Sequence, residues 1–469
     1  MISIETLTAL KDAVGAKGWS DDPHELAPHT CDWRGRWQGE TPLLLKPATT
    51  EEAAACVRIC AREGIAITPQ GGNTGLVGGS IPRGEVLISL SRMKQVREID
   101  TANDAITVEA GCILESIQNE AEKVDRLFPL SLGSQGSATI GGLISTNAGG
   151  VHVLRYGMMR DLVLGIEAIL PDGRIWNGLR GLRKDNSGYD LKQVFIGAEG
   201  TLGLVTAATL KLFPKPAETS VAFAGIPSPA AAVDLLGLAK SASGGTLSAL
   251  EIIPRNALDL VLQHIPDTRD PLDQTHPWYA LLEIGAARVG EGRAAMEDAL
   301  SSGFEAGLVT DAVIAESESQ AHALWQLREP IAEAEKAHGK AAKHDVSIPV
   351  SKIAAFIVEA TAASERLVEG ANVIAFGHVG DGNVHFNVAS QEAGAGDAFL
   401  ERCQPATEAI YDLVQKYGGS IAAEHGVGTL KSDDLAERRP LEVELMRSIK
   451  SALDPKGIMN PRVLIPVAR

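Results

Sequence analysis

The chain has 469 residues, 45% of them hydrophobic and 22% charged, which is long for one core and predicts two or three domains. Its formal charge of −17 argues against a nucleic-acid partner, because neutralising phosphates needs a basic surface. A small anionic substrate stays compatible, provided positive charge is concentrated locally.

In chain order, the N-terminal "MISIETLTALKDAVGAKGWSDD" has no basic stretch followed by an apolar block. No apolar run reaches transmembrane length, so a soluble, cytoplasmic chain is expected. From residue 42 to 213 the pattern predicts strand "TPLLLKPA", a helix over 50–63, strand "IAITPQ", a glycine loop over 71–79 and strand "EVLISL". There follow "AITVEAGC", a helix near 114–123, a glycine-rich stretch over 133–150, "VLGIEAILP" and "LGLVTAATLKLFP". "PKPAETS" at 214–220 reads as a boundary. Beyond it come "SVAFAGI", a helix over 228–240, "LSALEII", "WYALLEIGA", a helix over 291–302, a long helix over 317–338 and strand "KHDVSIPV". A hairpin, a helix over 397–417, strand "SIAAEHG" and a helix over 435–452 complete the chain. This alternation points to α/β or α+β layering.

The cysteines, Cys31, Cys56, Cys60, Cys112 and Cys403, are odd in number, which suits a reducing compartment. Cys56 and Cys60 share a helix face and read as small core residues.

Glycines are clustered. "PQGGNTGLVGGS" (69–80) follows a strand and lets main-chain N–H groups turn toward an anion. It lacks the Gly-Lys-Ser/Thr of a Walker loop and the G-x-G-x-x-G of a Rossmann turn. "LGSQGSATIGGLISTNAGG" (132–150) and "FIGAEGTLGLVT" (195–206) add two more loops, which suggests one extended cofactor touched along its length. "VGEGRAAMEDAL" (289–300) has a G-x-G-x-x-A pattern without βαβ context and reads as a helix-entry turn.

"FGHVGDGNVHFNV" (376–388) places His378 and His385 around a Gly-Asp-Gly knot. A two-residue turn at Asp381-Gly382 would set the two imidazoles directly opposite, about 4.5–5.5 Å apart at Cβ, able to share one metal ion. Asn387 would lie on the same face as the histidines. "SIAAEHGVG" adds adjacent Glu424 and His425. In an extended segment these point to opposite faces, so one could bind metal while the other meets substrate.

"PQGGNTGLVGG", "LGSQGSATIGGLISTNAGG", "RYG", "DNSGYDLKQVFIGAEGTLGLVT", "GHVGDGNVHFN" and "AAEHGVG" together resemble the FAD-linked D-2-hydroxyacid dehydrogenases. These are flavoproteins of the vanillyl-alcohol-oxidase type and include D-2-hydroxyglutarate and D-lactate dehydrogenases. The resemblance runs from "DWRG" (32–35) to "DPKGIMNP" (454–461). It implies an α+β fold: a two-subdomain, PCMH-type FAD-binding domain over 1–216, an α+β cap over 217–424, and a C-terminal segment over 425–469 returning to the FAD domain.

The resemblance also implies that Gln70, Gly71, Gly72, Asn73, Thr74, Gly75 and Gly78 cradle the pyrophosphate. Leu132, Gly133, Ser134, Ser137, Thr139, Gly141, Gly142, Asn147 and Gly149 would line the flavin, with Glu199, Gly200, Val205 and Asn460. Neither major glycine loop contains His or Cys, so non-covalent FAD is expected; His152, just beyond, is the one exception to weigh. His378, His385 and Glu424 would hold one divalent metal, Zn or Mn, with His425 as general base. Arg328 and Lys343 match the substrate-carboxylate positions, and Asn387 can reach the substrate. One departure stands out: Ala332 replaces a hydroxyl residue one turn after the arginine.

The expected function is oxidation of a D-2-hydroxy acid, D-2-hydroxyglutarate favoured, by hydride transfer to flavin N5. D-lactate oxidation with the same machinery and a metal-independent flavin oxidase stay open. The family also implies an electron acceptor such as electron-transfer flavoprotein, quinone or cytochrome, and a possible homodimer.

Overall fold

The computed structural model describes residues 2–466 and divides into two units. The first comprises residues up to 150, 157–215 and 424 onward; the second comprises 151–156 and 216–423. Against the ranges expected from sequence, residues 151–156 and Pro216 group with the second unit and Glu424 with the first.

The first unit holds two sheets. Leu44–Leu45, Val86–Ser89 and Ile67–Gln70 run parallel, with Trp19–Ser20 antiparallel at one edge. The strand expected over "TPLLLKPA" shrinks to Leu44–Leu45. A five-stranded antiparallel sheet runs in the order Val96–Asp100, Ala105–Glu109, Leu204–Lys211, Val163–Ile169 and Ile175–Gly178. Helix Thr50–Glu63 packs Cys56, Val57 and Cys60 against Ile67, Val86 and Ile88. Thr49 caps it by accepting from the Glu52 N–H, and Gly64 ends it in the left-handed region. Burial pushes the Cys56 and Cys60 thiols up to about 12. The C-terminal segment is stitched to this unit: Ile67 N–H donates to Ile458 O, and Asn460 N–H to Ile67 O, each at 2.8 Å.

The second unit is built on one antiparallel sheet of seven strands. They are β1 Glu218–Ile226, β2 Leu247–Pro254, β3 Trp278–Ala286, β4 Asp311–Ile314, β5 Ala342–Ser347, β6 Ala371–His378 and β7 Asn383–Ser390. The spatial order is β4-β1-β3-β2-β6-β7-β5. Because side chains alternate along a strand, one face gathers Ala222, Leu250, Ile284 and Phe386 beneath helices Pro229–Ser243, Glu291–Glu305, Ile353–Leu367 and Gln404–Lys416. The other face gathers Phe223, Ile253, Tyr279 and Phe376 beneath Arg255–His264, Glu318–Trp325 and Ile331–His338. Burying a Leu, Ile or Phe side chain fully is worth about 1.5–3 kcal/mol, so both faces stabilise the sheet.

Three expected helices are each two. The 317–338 helix divides around Arg328–Pro330, the 397–417 helix ahead of Pro405, and the 435–452 helix gives Ser432–Arg438 and Pro440–Leu453. In every case a proline, lacking N–H and clashing with the preceding turn, starts a new helix instead of continuing the old one. "SIAAEHG" forms no strand: an isolated bridge joins Ser420 to Ser347, and Glu424 and His425 lie in bends, so strand alternation does not govern them. "VGEGR" does open a helix, and the N–H groups of Gly290 and Gly292 donate to Glu218 Oε2 at 2.8 and 2.9 Å.

Candidate active site

In the first unit the cradle is made of main chain. A Cβ on Gly72 would sit 2.1 Å from Ser137 O, and one on Gly71 would sit 2.4 Å from Thr139 Oγ1. The 70–80 loop therefore lies flat against 137–142, and only glycine permits the approach. Among its glycines Gly78 alone takes a positive φ, +73°. Close approach, more than conformational freedom, is what Gly71 and Gly72 supply.

Several polar residues expected to meet the cofactor spend their side chains bracing these loops. Gln70 Nε2 donates to His29 O (2.9 Å) and Ser80 O (3.1 Å). Asn73, at φ 52°, donates from Nδ2 to Pro28 O and Cys31 O. Asn147, at φ 50°, accepts the Arg160 N–H on Oδ1 at 2.9 Å. Asn460 Nδ2 donates to Gly79 O (2.9 Å) and Glu199 O (2.7 Å). Glu199 is buried at φ 50°, and its carboxylate accepts the Val427 and Gly428 N–H groups at 2.8 Å each. Burial raises its pKa, although those two N–H groups oppose the shift. Val205 is buried in strand Leu204–Lys211.

Gly75 and Gly133 have open space where a Cβ would be. The buried Thr139 hydroxyl has no hydrogen-bond partner among the described residues. An orphaned buried donor beside a wall that excludes side chains fits a large ligand rich in acceptors, such as FAD.

In the second unit the polar residues gather on one face of the seven-stranded sheet. The hairpin register differs from the expected one. His378 pairs with Asn383 and Phe376 with His385, so residues 379–382 form the turn. Asn383 N–H donates to Asp381 Oδ1 (3.0 Å) and Gly382 N–H to His378 O (3.1 Å), closing a loop longer than a two-residue turn. The histidines are thus diagonal neighbours on one face, not direct partners. Their ring centroids lie 5.7 Å apart, edge to face.

Beside them stand buried carboxylates that local reading did not single out. Glu251 on β2 lies directly across from His378. His378 Nδ1–H donates to Glu251 Oε1 at 2.6 Å, and Arg328 Nε–H donates to Glu251 Oε2 at 2.7 Å. Arg328, in the break between two helices, stacks its guanidinium 4.8 Å over the Phe376 ring. Burial would raise the Glu251 pKa, but the positive charges at His378 and Arg328 prevail and lower it to about 2. Glu335 plays the matching part for the other two expected substrate residues. It accepts from Lys343 Nζ at 2.9 Å and from Asn387 Nδ2 at 2.8 and 2.9 Å. Asp345, across from His385, accepts from Asn383 Nδ2 at 2.8 Å.

Further along this face Glu283 accepts from Ser248 Oγ (2.7 Å) and Trp325 Nε1 (3.0 Å) and pairs with His152 Nε2 (3.0 Å). His152, weighed as a covalent flavin anchor, is therefore engaged by a carboxylate. The signal that could have found Glu251 and Glu283 is a lone acid inside an apolar strand, "LSALEIIP" and "WYALLEIGA", since carboxylates are rarely buried unpaired.

Glu424 and His425 belong to the first unit, where Glu424 Oε1 accepts the Gly150 N–H at 2.8 Å. They follow Ala423, the last residue of the second unit, whose N–H donates to Asp345 O at 3.3 Å. Ala332 is exposed in the first turn of Ile331–His338.

A main-chain cradle in one unit and a sheet face bearing imidazole, guanidinium and ammonium in the other define an FAD-linked oxidoreductase. Residues 41–178 match the FAD binding domain, and residues 215–464 match the C-terminal domain of FAD linked oxidases. The chain is 39% identical to the mitochondrial D-2-hydroxyglutarate dehydrogenase of Arabidopsis thaliana, over 97% of this chain and 80% of that protein. It is 37% identical to a putative mitochondrial D-lactate dehydrogenase of Schizosaccharomyces pombe, over 94% of this chain and 85% of that one. In fold it matches an alkyldihydroxyacetonephosphate synthase at a TM-score of 0.75 and 20% identity, covering 98% of this chain and 86% of that one. The chain belongs to the FAD-linked D-2-hydroxyacid dehydrogenases, flavoproteins of the vanillyl-alcohol-oxidase type with an α+β fold. No helix among the described residues is long and apolar enough to cross a membrane.

Proposed function

We propose that this enzyme oxidises a D-2-hydroxy acid, D-2-hydroxyglutarate foremost, to the 2-oxo acid. FAD would be held non-covalently, and one divalent ion, Zn²⁺ or Mn²⁺, would be held by His378, His385 and Glu424. The observation that carries the reading is the sheet face of the second unit. It sets two imidazoles on one side of the β6–β7 hairpin, with Arg328, Lys343 and Asn387 on side chains already oriented by carboxylates. The donor set also fits a metal. An imidazole whose Nδ1–H is held by a carboxylate is the usual arrangement for ligation through the other nitrogen. Two histidines and one carboxylate leave positions for substrate oxygens.

When bound, FAD would supply a hydride acceptor at N5 and the metal a Lewis acid toward the hydroxyl and carboxylate oxygens. The chain supplies the rest. His425 takes the hydroxyl proton as general base, worth roughly 10²–10⁴-fold. Arg328 offers a planar fork to a carboxylate and Lys343 a point charge, while Asn387 adds an amide donor. The cradle of Gly71, Gly72 and Thr139 would receive the cofactor's anionic part. Re-oxidation calls for an acceptor such as electron-transfer flavoprotein, a quinone or a cytochrome. The cysteine usage supports a reducing compartment such as the cytoplasm.

D-lactate is the second reading, favoured by Ala332, which offers no hydroxyl to a distal carboxylate. The deciding experiment is anaerobic bleaching of the flavin by a panel of D- and L-hydroxy acids, before and after chelation. Bleaching by D-2-hydroxyglutarate, lost with chelation and restored by Zn²⁺ or Mn²⁺, is expected. Equal bleaching by L-isomers would overturn the stereochemistry, and full bleaching after chelation, followed by rapid re-oxidation when O₂ is admitted, would identify a metal-independent oxidase.

A further inference from the structure

Glu251 is the most deeply committed charge in the second unit. It is fully buried, it is the one charged residue of its strand, and each of its oxygens has one partner of a different kind. One partner is an expected metal ligand on β6, and the other is an expected substrate-binding arginine from a helix break distant in sequence. A buried ion-paired cluster is costly to desolvate, and replacing the whole of it with well-packed apolar residues is often neutral or stabilising. Stability alone therefore gives no reason to place an acid here, whereas tying two functional groups together does.

We infer that Glu251 is a positioning residue that fixes the His378 imidazole for metal ligation and, through its second oxygen, holds Arg328 where it can receive the substrate carboxylate. This rests on the metal-dependent reading above. The geometry gives each half its reason. Register places Glu251 directly across from His378, within the distance at which opposed side chains meet. Arg328 Nε–H occupies Oε2, so the carboxylate serves as acceptor on both oxygens, and the hydrogen on the imidazole side belongs to His378 Nδ1. That selects the tautomer with Nε2 as the ligating atom. Engaging Arg328 through Nε, the inner nitrogen of the guanidinium, anchors the group by its stem and aims the terminal nitrogens outward. The Phe376 ring beneath the guanidinium fixes its plane. One acid thus sets the geometry of both the metal ligand and the substrate clamp.

Glu251→Gln keeps shape and hydrogen-bonding capacity but removes the charge. In the full-length FAD-loaded protein, stripped of metal, Zn²⁺ affinity measured against a chromophoric chelator should fall 10–100-fold. At saturating Zn²⁺, KM for D-2-hydroxyglutarate should stay raised by about tenfold, because extra metal does not reorient Arg328. Glu251→Asp should recover part of both losses. Unchanged Zn²⁺ affinity and unchanged KM in a folded Glu251→Gln protein would overturn the inference. If that variant does not fold, the wild-type protein decides: ¹⁵N imidazole spectra of the metal-free form should show a proton on His378 Nδ1, whether or not Nε2 also carries one. The opposite tautomer would overturn the inference. If the wild-type protein itself fails to take up Zn²⁺ or Mn²⁺, the metal-dependent reading falls first and this inference with it. If it takes up metal and only the Glu251 effects are missing, the reading stands and the inference alone is lost.

Discussion

The two units build their sites from opposite materials. The FAD-binding unit makes its cradle from backbone, with Gly71 and Gly72 set so close to 137–139 that no side chain fits, while its polar side chains brace the loops. The sheet unit makes its site from side chains brought together from β2, β5, β6, β7 and a helix break, with His378, Arg328 and Lys343 each held by a buried carboxylate. A backbone site is written locally as glycine clusters, whereas a side-chain site is written as isolated residues whose meaning depends on register.

The largest effect expected on this contrast comes from His425→Asn. FAD content, read from the flavin spectrum, should be retained while kcat falls about 10²–10⁴-fold; unaltered turnover would remove the base role. Next, Gly72→Ala puts a methyl group 2.1 Å from the Ser137 carbonyl oxygen, a backbone atom that cannot swing aside. Overpacking of this kind costs about 1–3 kcal/mol, so FAD retention after gel filtration should drop by about tenfold. If full occupancy persists, the cradle is not where FAD binds.

Glu335→Gln tests the sheet face away from the histidines. It removes the counter-charge of Lys343 and one acceptor of Asn387, with a loss of about 1–3 kcal/mol expected in denaturant unfolding. The metal content should stay at the wild-type level. A variant that loses metal as well would show that the two carboxylates act as one network.

Smaller in effect is the acid dependence of unfolding. The folded-state pKa of Glu251 is depressed to about 2 from the ordinary 4.5, so its contribution is present above the ordinary value and is lost as pH falls toward 2. Stability should therefore decline across that window in wild type, with a shallower slope in Glu251→Gln. The smallest signal is expected from the FAD-unit core. With their pKa values pushed to about 12 from 9.0, Cys56 and Cys60 hold about a thousandfold less thiolate than ordinary cysteines, so alkylation of the native protein should spare both. Rapid labelling of either would show that helix Thr50–Glu63 opens readily.

The same contrast separates what was legible early from what was not. Cys56 and Cys60 were placed in the core by helical spacing, and Gly290 at a helix entry by its context, because both depend on neighbours a few residues away. Apolar spacing continues through Pro405 and Pro440 and predicts one helix across each, since periodicity does not register a missing N–H. The hairpin was recognised, but its register was displaced because Asp381 and Gly382 suit a two-residue turn as well as the longer one. The choice between them falls to contacts outside the hairpin: a Cβ on Gly382 would lie 2.2 Å from Ile348 O, and Ile348 N–H donates to Gly382 O. Glu335 carries no local mark of its role, and Glu251 carries only that of a lone acid in its strand, which does not say which groups it meets.

By itself, then, the sequence determined the alternation of helices and strands, the glycine clusters and many of the residues capable of the chemistry, because propensity, periodicity and backbone access act over short range. Tertiary structure alone decided which carboxylate meets which cation and which strand positions face each other. Those pairings join residues far apart in the chain, Glu251 with Arg328 and with His378, and they exist only once seven strands have settled into one register.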